Sequence, residues 1–145
     1  MFGALQEPNG SARGSLVTLT IIPVFAAVFA VFFVLLSINV IRKRRQHKLG
    51  IGTGRNKSVD RTMRVHANFA EYVPFALLLI TLLELKKANA MLLSALCSVL
   101  LVGRLVHAFG VSMENERFIC TVSGMVMTFT AILTAALANV AVVIL

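Results

Sequence analysis

Long runs of apolar residues without any charge are the feature that most restricts how this chain can fold. The run from Val17 to Ile41 carries no charged residue, and neither does the run from Phe118 to Leu145. Each is longer than the roughly 20 residues that an α-helix needs to cross the hydrocarbon core of a bilayer. The hydrophobic content of 58% also exceeds the content of about 45–50% that is usual in soluble domains. We therefore expect an integral membrane protein.

Two further apolar segments lie between these runs, and each of them contains a few polar residues. The expected spans cover about residues 17–41, 62–85, 88–109 and 118–145. Because short loops connect them, the pattern predicts a single membrane domain over residues 1–145. The predicted fold class is all-α, a four-helix membrane bundle. The two cysteines, Cys97 and Cys120, fall at different depths of this bundle and are interpreted as packing residues without a disulfide.

The positive charge of the chain lies in one segment. The formal net charge is +8, and residues 42–64 carry it entirely, because nine Lys and Arg residues there face only Asp60. The positive-inside rule predicts that the basic loop 42–61 is cytoplasmic and that both termini lie on the opposite side. We interpret the run Arg42 to Arg45 as an orientation signal. Nucleic acid binding is not expected, because no aromatic residues alternate with these cations.

Polar side chains at membrane depth form two clusters. Arg64, Asn68 and Glu71 follow the i, i+4, i+7 spacing of one helix face near the start of the second span. The second cluster is Arg104, His107 and Arg117, at the end of the third span and the start of the fourth, and Arg104 and His107 share a helix face. Since the second helix begins on the side where the third helix ends, both clusters are expected at the same depth.

Two interpretations of these clusters are open. The arginines could extend to the lipid headgroups, with Asn68 joining neighbouring helices and Glu71 neutralising an arginine. Alternatively, the residues line a pocket, in which arginines grip carboxylates through paired hydrogen bonds and Glu71 takes an ammonium group. The convergence of several polar residues at one depth favours the pocket.

Two motifs resemble those of the MAPEG family, the membrane-associated proteins of eicosanoid and glutathione metabolism. The first is the run Arg61-x-x-Arg64-x-His66-x-Asn68-x-x-Glu71-Tyr72-x-Pro74. The second is the run Gly103-Arg104-Leu105-Val106-His107-Ala108-Phe109-Gly110, which is similar to a stretch of bacterial members. The chain is identified as a bacterial-type member on these motifs.

The resemblance implies a homotrimer in the bacterial inner membrane that binds glutathione between neighbouring subunits near the cytoplasmic face. It implies no metal. The implied glutathione ligands are Arg42, Arg64, His66, Asn68, Glu71, Tyr72, Arg104 and His107. Arg117 is the implied catalytic residue, which would stabilise the glutathione thiolate. Val111 stands where eicosanoid synthases carry a tyrosine, so leukotriene synthesis is not expected.

The implied activity is that of a membrane-bound glutathione transferase or peroxidase. A guanidinium beside the sulfur would increase the fraction of reactive thiolate at neutral pH. The second substrate would be a hydrophobic electrophile or a lipid hydroperoxide that enters from the bilayer. Two alternatives remain: a non-catalytic structural or regulatory relative, and a small transporter. The first span lacks the buried carboxylate that a proton-coupled transporter would need.

Overall fold

The computed structural model describes residues 19–113 and 117–144, and these residues form four α-helices and no strand. The helices are α1 (Ile22–Gln46), α2 (Lys57–Leu85), α3 (Ala90–Ser112) and α4 (Phe118–Ile144). Each of them is long and apolar enough to cross a membrane. The all-α fold class is therefore confirmed. Val17, Thr18 and Leu145, at the outer ends of the predicted spans, lie outside the described residues.

The helices extend further into the basic segment than the predicted spans do. α1 continues beyond Ile41 to Gln46, with three cations in its last turn. Cations are favourable there because the carboxyl end of a helix carries a partial negative charge. α2 begins at Lys57, and the Asn56 side chain caps it by accepting from the amides of Ser58 and Val59 at 2.9 and 3.2 Å. The loop between the helices is thus 47–56, so both helices extend into the segment 42–61 that the sequence predicts to be cytoplasmic.

The third helix is also displaced from its predicted span of 88–109. Asn89 caps α3 through the amide of Met91 at 2.8 Å, so the helix begins at Ala90, and it continues to Ser112. α4 begins at Phe118, as predicted. Hydropathy marks where lipid exposure ends, whereas capping side chains decide where a helix begins.

α2 is the central helix of the described bundle, because it packs extensively against each of the other three, whereas α3 has only a slight contact with α1. α3 and α4 share the most extensive interface. Two glycines allow these helices to approach closely: a Cβ atom added to Gly124 would lie 2.6 Å from the Gly103 carbonyl oxygen and 2.7 Å from the His107 Cβ. Small residues serve this purpose at helix contacts in membranes. This close approach fixes the position of His107 along the axis of α4.

Apolar side chains fill the interior in two clusters along the bundle. One surrounds Ile80, Leu83 and Leu93, and the other surrounds Phe69, Val73 and Leu100. Cys97 is fully buried in the first cluster, and both cysteines are free thiols. The prediction that neither forms a disulfide is confirmed.

Glu84, at the end of α2, closes one end of the bundle. Its carboxylate accepts hydrogen bonds from the backbone amides of Thr20, Ile21 and Ile22 at 2.8, 2.7 and 3.0 Å. These amides begin α1 and have no partner within that helix. Glu84 therefore joins the start of α1 to the end of α2.

Candidate functional site

Arg104 of α3 is the most deeply buried charged residue of the second polar cluster, with 2% of its surface exposed. Its Nη1 donates a hydrogen bond to the Asn68 Oδ1 at 2.6 Å. This contact joins α3 to α2 at the depth where the sequence predicts that the two clusters meet. The convergence of Asn68 and Arg104 is thus observed directly.

The Arg104 guanidinium has contacts on several sides, but one of its N–H groups has no hydrogen-bond partner among the described residues. Its Nη2 contacts the Met125 Sδ at 3.4 Å, and its central carbon lies 5.9 Å from the centre of the Tyr72 ring. Tyr72 in turn packs edge-on against Phe129, with 5.5 Å between the ring centres. The buried Nε of Arg104 has no hydrogen-bond partner among the described residues. A buried donor without a partner is uncommon and indicates strain or a functional role.

A cavity of about 450 Å³ adjoins this arginine, and we call it the polar cavity. It combines cations, carboxylates, an amide and an imidazole from three helices. Its lining residues are Lys57, Asp60, Arg61, Arg64, Ala67, Asn68, Glu71, His107, Val111 and Thr121. Asn68 lines the cavity and also holds Arg104, whose own side chain lies behind this wall and is not among the lining residues.

Two arginines of the polar cavity are positioned by short contacts. Arg64 Nε lies 3.0 Å from the Asp60 Oδ2 across one turn of α2, and its side chain is 75% exposed. An ion pair at this exposure contributes little to stability, so Arg64 is available to a ligand. Arg61 Nη1 donates to the Met113 carbonyl oxygen at 3.0 Å, which ties α2 to the end of α3.

Glu71 is the middle residue of α2, and its side chain is exposed in the single chain. It takes part in no hydrogen bond or ion pair with the described residues. An exposed carboxylate at the centre of a span is costly unless water, a ligand or another chain covers it. Because Glu71 lies on the cavity wall, a cationic group of a bound ligand could pair with it.

Five residues that the resemblance implied do not line the polar cavity of the single chain: Tyr72 and Arg104, whose contacts are given above, and His66, Arg42 and Arg117. His66 faces α1, where its Nε2 lies 3.0 Å from the Ser37 Oγ and its ring lies 4.8 Å from that of Phe33. Arg42 is exposed near the end of α1. Arg117 is exposed too, and its backbone amide donates to the Gly110 carbonyl oxygen at 3.3 Å.

Sequence reasoning missed several lining residues. Lys57 and Asp60 continue the face of Arg64 and Asn68 at helical spacing, so this pattern could have revealed them had the start of α2 been placed at Lys57. Thr121 carries no such signal, because its position depends on how α4 packs against α3. Among the described residues no group of three His, Cys, Asp or Glu side chains could hold a metal ion.

A second cavity, of about 400 Å³, opens between α1 and α2, and we call it the apolar groove. Its walls are almost entirely hydrocarbon. They are formed by Ala26, Phe29, Ala30, Phe33, Phe69, Ala70, Val73, Pro74 and Leu77. Phe69 and Ala70 lie between Asn68 and Glu71 in the sequence, but they line the groove and not the polar cavity. The groove therefore lies on a different face of α2 from the polar cavity.

Comparison with known proteins identifies the family. The sequence profile described as the MAPEG family matches residues 22–137 of the chain. The chain belongs to the MAPEG family. The match covers all but the last few residues of α4, so it includes both the polar cavity and the contact between Asn68 and Arg104.

Curated relatives support the same MAPEG assignment. The chain is 32% identical over 115 residues to the inner membrane protein YecN of Escherichia coli strain K12, covering 79% of this chain and 86% of that protein. The protein of the same name in Escherichia coli O6:H1 gives the same values. No solved structure matches the chain significantly. Family membership and four span-capable helices make the MAPEG chain an integral membrane protein.

Proposed function

We propose that this protein is a membrane-bound glutathione transferase-like enzyme, which binds glutathione in the polar cavity and directs its thiolate against hydrophobic substrates. One observation carries the proposal: Asn68, which holds the buried Arg104, lines a cavity that also presents Arg64 and Glu71. Membership of the MAPEG family agrees with this chemistry.

The charges of the polar cavity match those of glutathione. At neutral pH the tripeptide has two carboxylates and one ammonium group. Arg61 and Arg64 can grip carboxylates through paired hydrogen bonds, and Glu71 is free to accept from the ammonium. The cavity volume of about 450 Å³ lies within the range of roughly 300–1,000 Å³ that is usual for small-molecule sites.

Exposed polar groups on α2 support an oligomer, which we propose to be the homotrimer that the family resemblance implies. Arg64 and Glu71 are exposed in the single chain, and exposure of such groups to lipid is costly. A neighbouring subunit would cover them. In this arrangement Arg42 and His66, which lie outside the polar cavity of their own chain, would contact glutathione bound by a neighbour.

Arg117 is the proposed stabiliser of the glutathione thiolate. It precedes α4, and Thr121, one helical turn further on the same side, lines the polar cavity. A cation near the sulfur lowers the free energy of the thiolate relative to the thiol, which loses its proton to water. The Arg117 side chain is exposed and therefore needs no rearrangement of the core to approach a bound ligand.

The chemistry takes one of two courses. In conjugation, the thiolate sulfur forms a bond to an electrophilic carbon, and the leaving group departs with the electron pair of the broken bond. In hydroperoxide reduction, two glutathione molecules are oxidised to the disulfide, while the hydroperoxide is reduced to an alcohol and water. The apolar groove between α1 and α2 is a surface from which such a hydrophobic substrate could enter.

We place the enzyme in the bacterial inner membrane, in line with the name of its E. coli relative. The basic residues of the segment 42–61 orient this segment toward the cytoplasm, with both termini on the opposite side. The polar cavity shares Lys57 and Arg61 with this segment, so it would open toward the cytoplasmic pool of glutathione.

The test is glutathione titration in detergent micelles, followed by thiolate absorbance and turnover of a generic electrophile. Arg64→Ala and Glu71→Ala should each weaken glutathione binding about tenfold or more, because each removes a charged hydrogen-bond partner. Arg117→Ala should retain binding and lose the thiolate signal. Arg45→Ala, which removes an exposed cation from outside the cavity, is the control and should behave like the wild type.

Equal glutathione affinity in all these variants would overturn the assignment of the cavity. Binding without thiolate formation or turnover in the wild type would instead indicate a non-catalytic member of the family. The two results are distinguishable, since the first concerns affinity and the second concerns chemistry.

A further inference from the structure

A third cavity lies where α1 ends and α2 begins, and it shares Lys57 and Arg61 with the polar cavity. Its volume is about 690 Å³, larger than that of the polar cavity, and we call it the basic cavity. Its walls come from the end of α1, the loop, the start of α2 and the end of α3. The lining residues are Asn39, Lys43, Arg55, Asn56, Lys57, Ser58, Arg61, Thr62 and Ser112.

The basic cavity gathers charge of one sign. Four of its lining residues are Lys or Arg, and no described carboxylate lines it. Asp60 lies within the same stretch of α2, but it lines the polar cavity and pairs with Arg64. The remaining walls supply neutral hydrogen-bond donors from amides and hydroxyls. A concave surface of one charge concentrates ions of the opposite charge.

The fold positions the side chain of one cation and constrains the backbone of another. Arg61 donates through Nη1 to the Met113 carbonyl oxygen at 3.0 Å, which leaves its other N–H groups for a ligand. Arg55 has a φ of 61°, a left-handed conformation that is uncommon outside glycine and is unfavourable for a long side chain. The first amides of α2 are already bonded to the Asn56 side chain, so the site consists of side chains.

We propose that the basic cavity is a binding site for a phosphate group. Phosphate presents several charged oxygens at once, and arginine binds it through paired hydrogen bonds. The cavity begins next to the last apolar residues of α1, Val40 and Ile41, where the hydrocarbon of the bilayer would give way to headgroups. The phosphate can therefore belong to an anionic phospholipid or to a soluble phosphate. This site neighbours the proposed glutathione site, with which it shares Lys57 and Arg61, whereas Lys43 and Arg55 line the basic cavity alone.

The test is titration of the full-length protein in neutral detergent with two probes, short-chain phosphatidylglycerol and inorganic phosphate. The variant Lys43→Gln/Arg55→Asn removes the two cations that line this cavity alone, and asparagine tolerates the left-handed backbone. Arg45→Gln/Lys48→Asn is the matched control, because Lys48 is also left-handed, with a φ of 53°, and neither residue lines the cavity.

We expect the cavity variant to lose about 30-fold in affinity for whichever probe binds the wild type, since each surface cation contributes about 1 kcal/mol. The control should stay within about threefold of the wild type. If the double variant does not fold, Lys43→Gln alone should lose about fivefold. Binding of phosphatidylglycerol alone assigns the site to lipid, and binding of inorganic phosphate assigns it to a soluble ligand. Absence of binding by both probes, or equal losses in the two double variants, would overturn the proposal.

Discussion

Glu84 and Arg104 are both buried charges of the helical bundle, yet their surroundings differ. Glu84 is 7% exposed, and its carboxylate accepts three backbone hydrogen bonds of 2.7–3.0 Å from the start of α1. Arg104 is 2% exposed, and its guanidinium has one short hydrogen bond to Asn68, a weak sulfur contact and an unpartnered Nε.

This difference separates a structural charge from a functional one. A buried charge with a complete set of partners stabilises the element that it joins, and removing it leaves those partners unsatisfied. A buried charge with incomplete partners behind a cavity wall has already been desolvated and keeps hydrogen-bonding capacity that a ligand can use. On this comparison Glu84 holds the fold and Arg104 belongs to the site.

The largest expected effect is that of Glu84→Met. The substitution leaves the amides of Thr20, Ile21 and Ile22 without their acceptor, which should lower the free energy of unfolding by about 3 kcal/mol. Glutathione affinity, measured below the melting temperature, should be unchanged. Leu85→Met, at the exposed neighbouring position, is the control and should melt like the wild type. A stable Glu84→Met variant would refute the structural role.

Arg104→Met should have the opposite effects, a small change in stability and a large loss of glutathione affinity. Because no described carboxylate neutralises Arg104, exchange for an apolar side chain of similar length should change the free energy of unfolding by less than about 1 kcal/mol. Glutathione binding should weaken about 100-fold through the loss of charged hydrogen bonds. Calorimetric titration and thermal unfolding measure the two quantities. A large loss of stability with intact binding would make Arg104 structural, like Glu84.

A smaller effect is expected for Glu71→Gln, which can be compared with the same substitution at Glu84 in the same helix. Glu71 is exposed, so its exchange should leave the melting temperature unchanged and weaken glutathione binding about tenfold. Glu84→Gln should lower the melting temperature and leave binding intact. Should both variants lose stability but keep glutathione, the division between the two carboxylates would be wrong.

The smallest effect is expected at His66. Its ring contacts Ser37 and Phe33, and glutamine can replace the hydrogen bond to Ser37. His66→Gln should therefore keep glutathione affinity within about threefold, a change of about 0.5 kcal/mol. A larger loss in the same titration would show that the imidazole itself is required by the ligand.

The features that depend on local pattern could be predicted from the sequence. Hydropathy predicted the four helices. Because consecutive helices cross the membrane in opposite directions, helical spacing also predicted that Asn68 and Arg104 lie at one depth, where they form a hydrogen bond. The cap by Glu84 could not be predicted, because it depends on a contact between residues more than 60 positions apart in the chain. The side to which the His66 ring points could not be predicted either, because neighbouring residues of α2 face either the polar cavity or α1.

The most direct test of this account is the rise in melting temperature that glutathione produces in three proteins: the wild type, Glu84→Met and Arg104→Met. A ligand at about 100 times its Kd stabilises the folded state by about 2.7 kcal/mol. We expect this rise in the wild type and, from a lower starting temperature, in Glu84→Met, whereas Arg104→Met, with its Kd about 100-fold higher, should gain only about 0.4 kcal/mol. An undiminished rise in Arg104→Met, or no rise in the wild type, would contradict the assignment of the glutathione site.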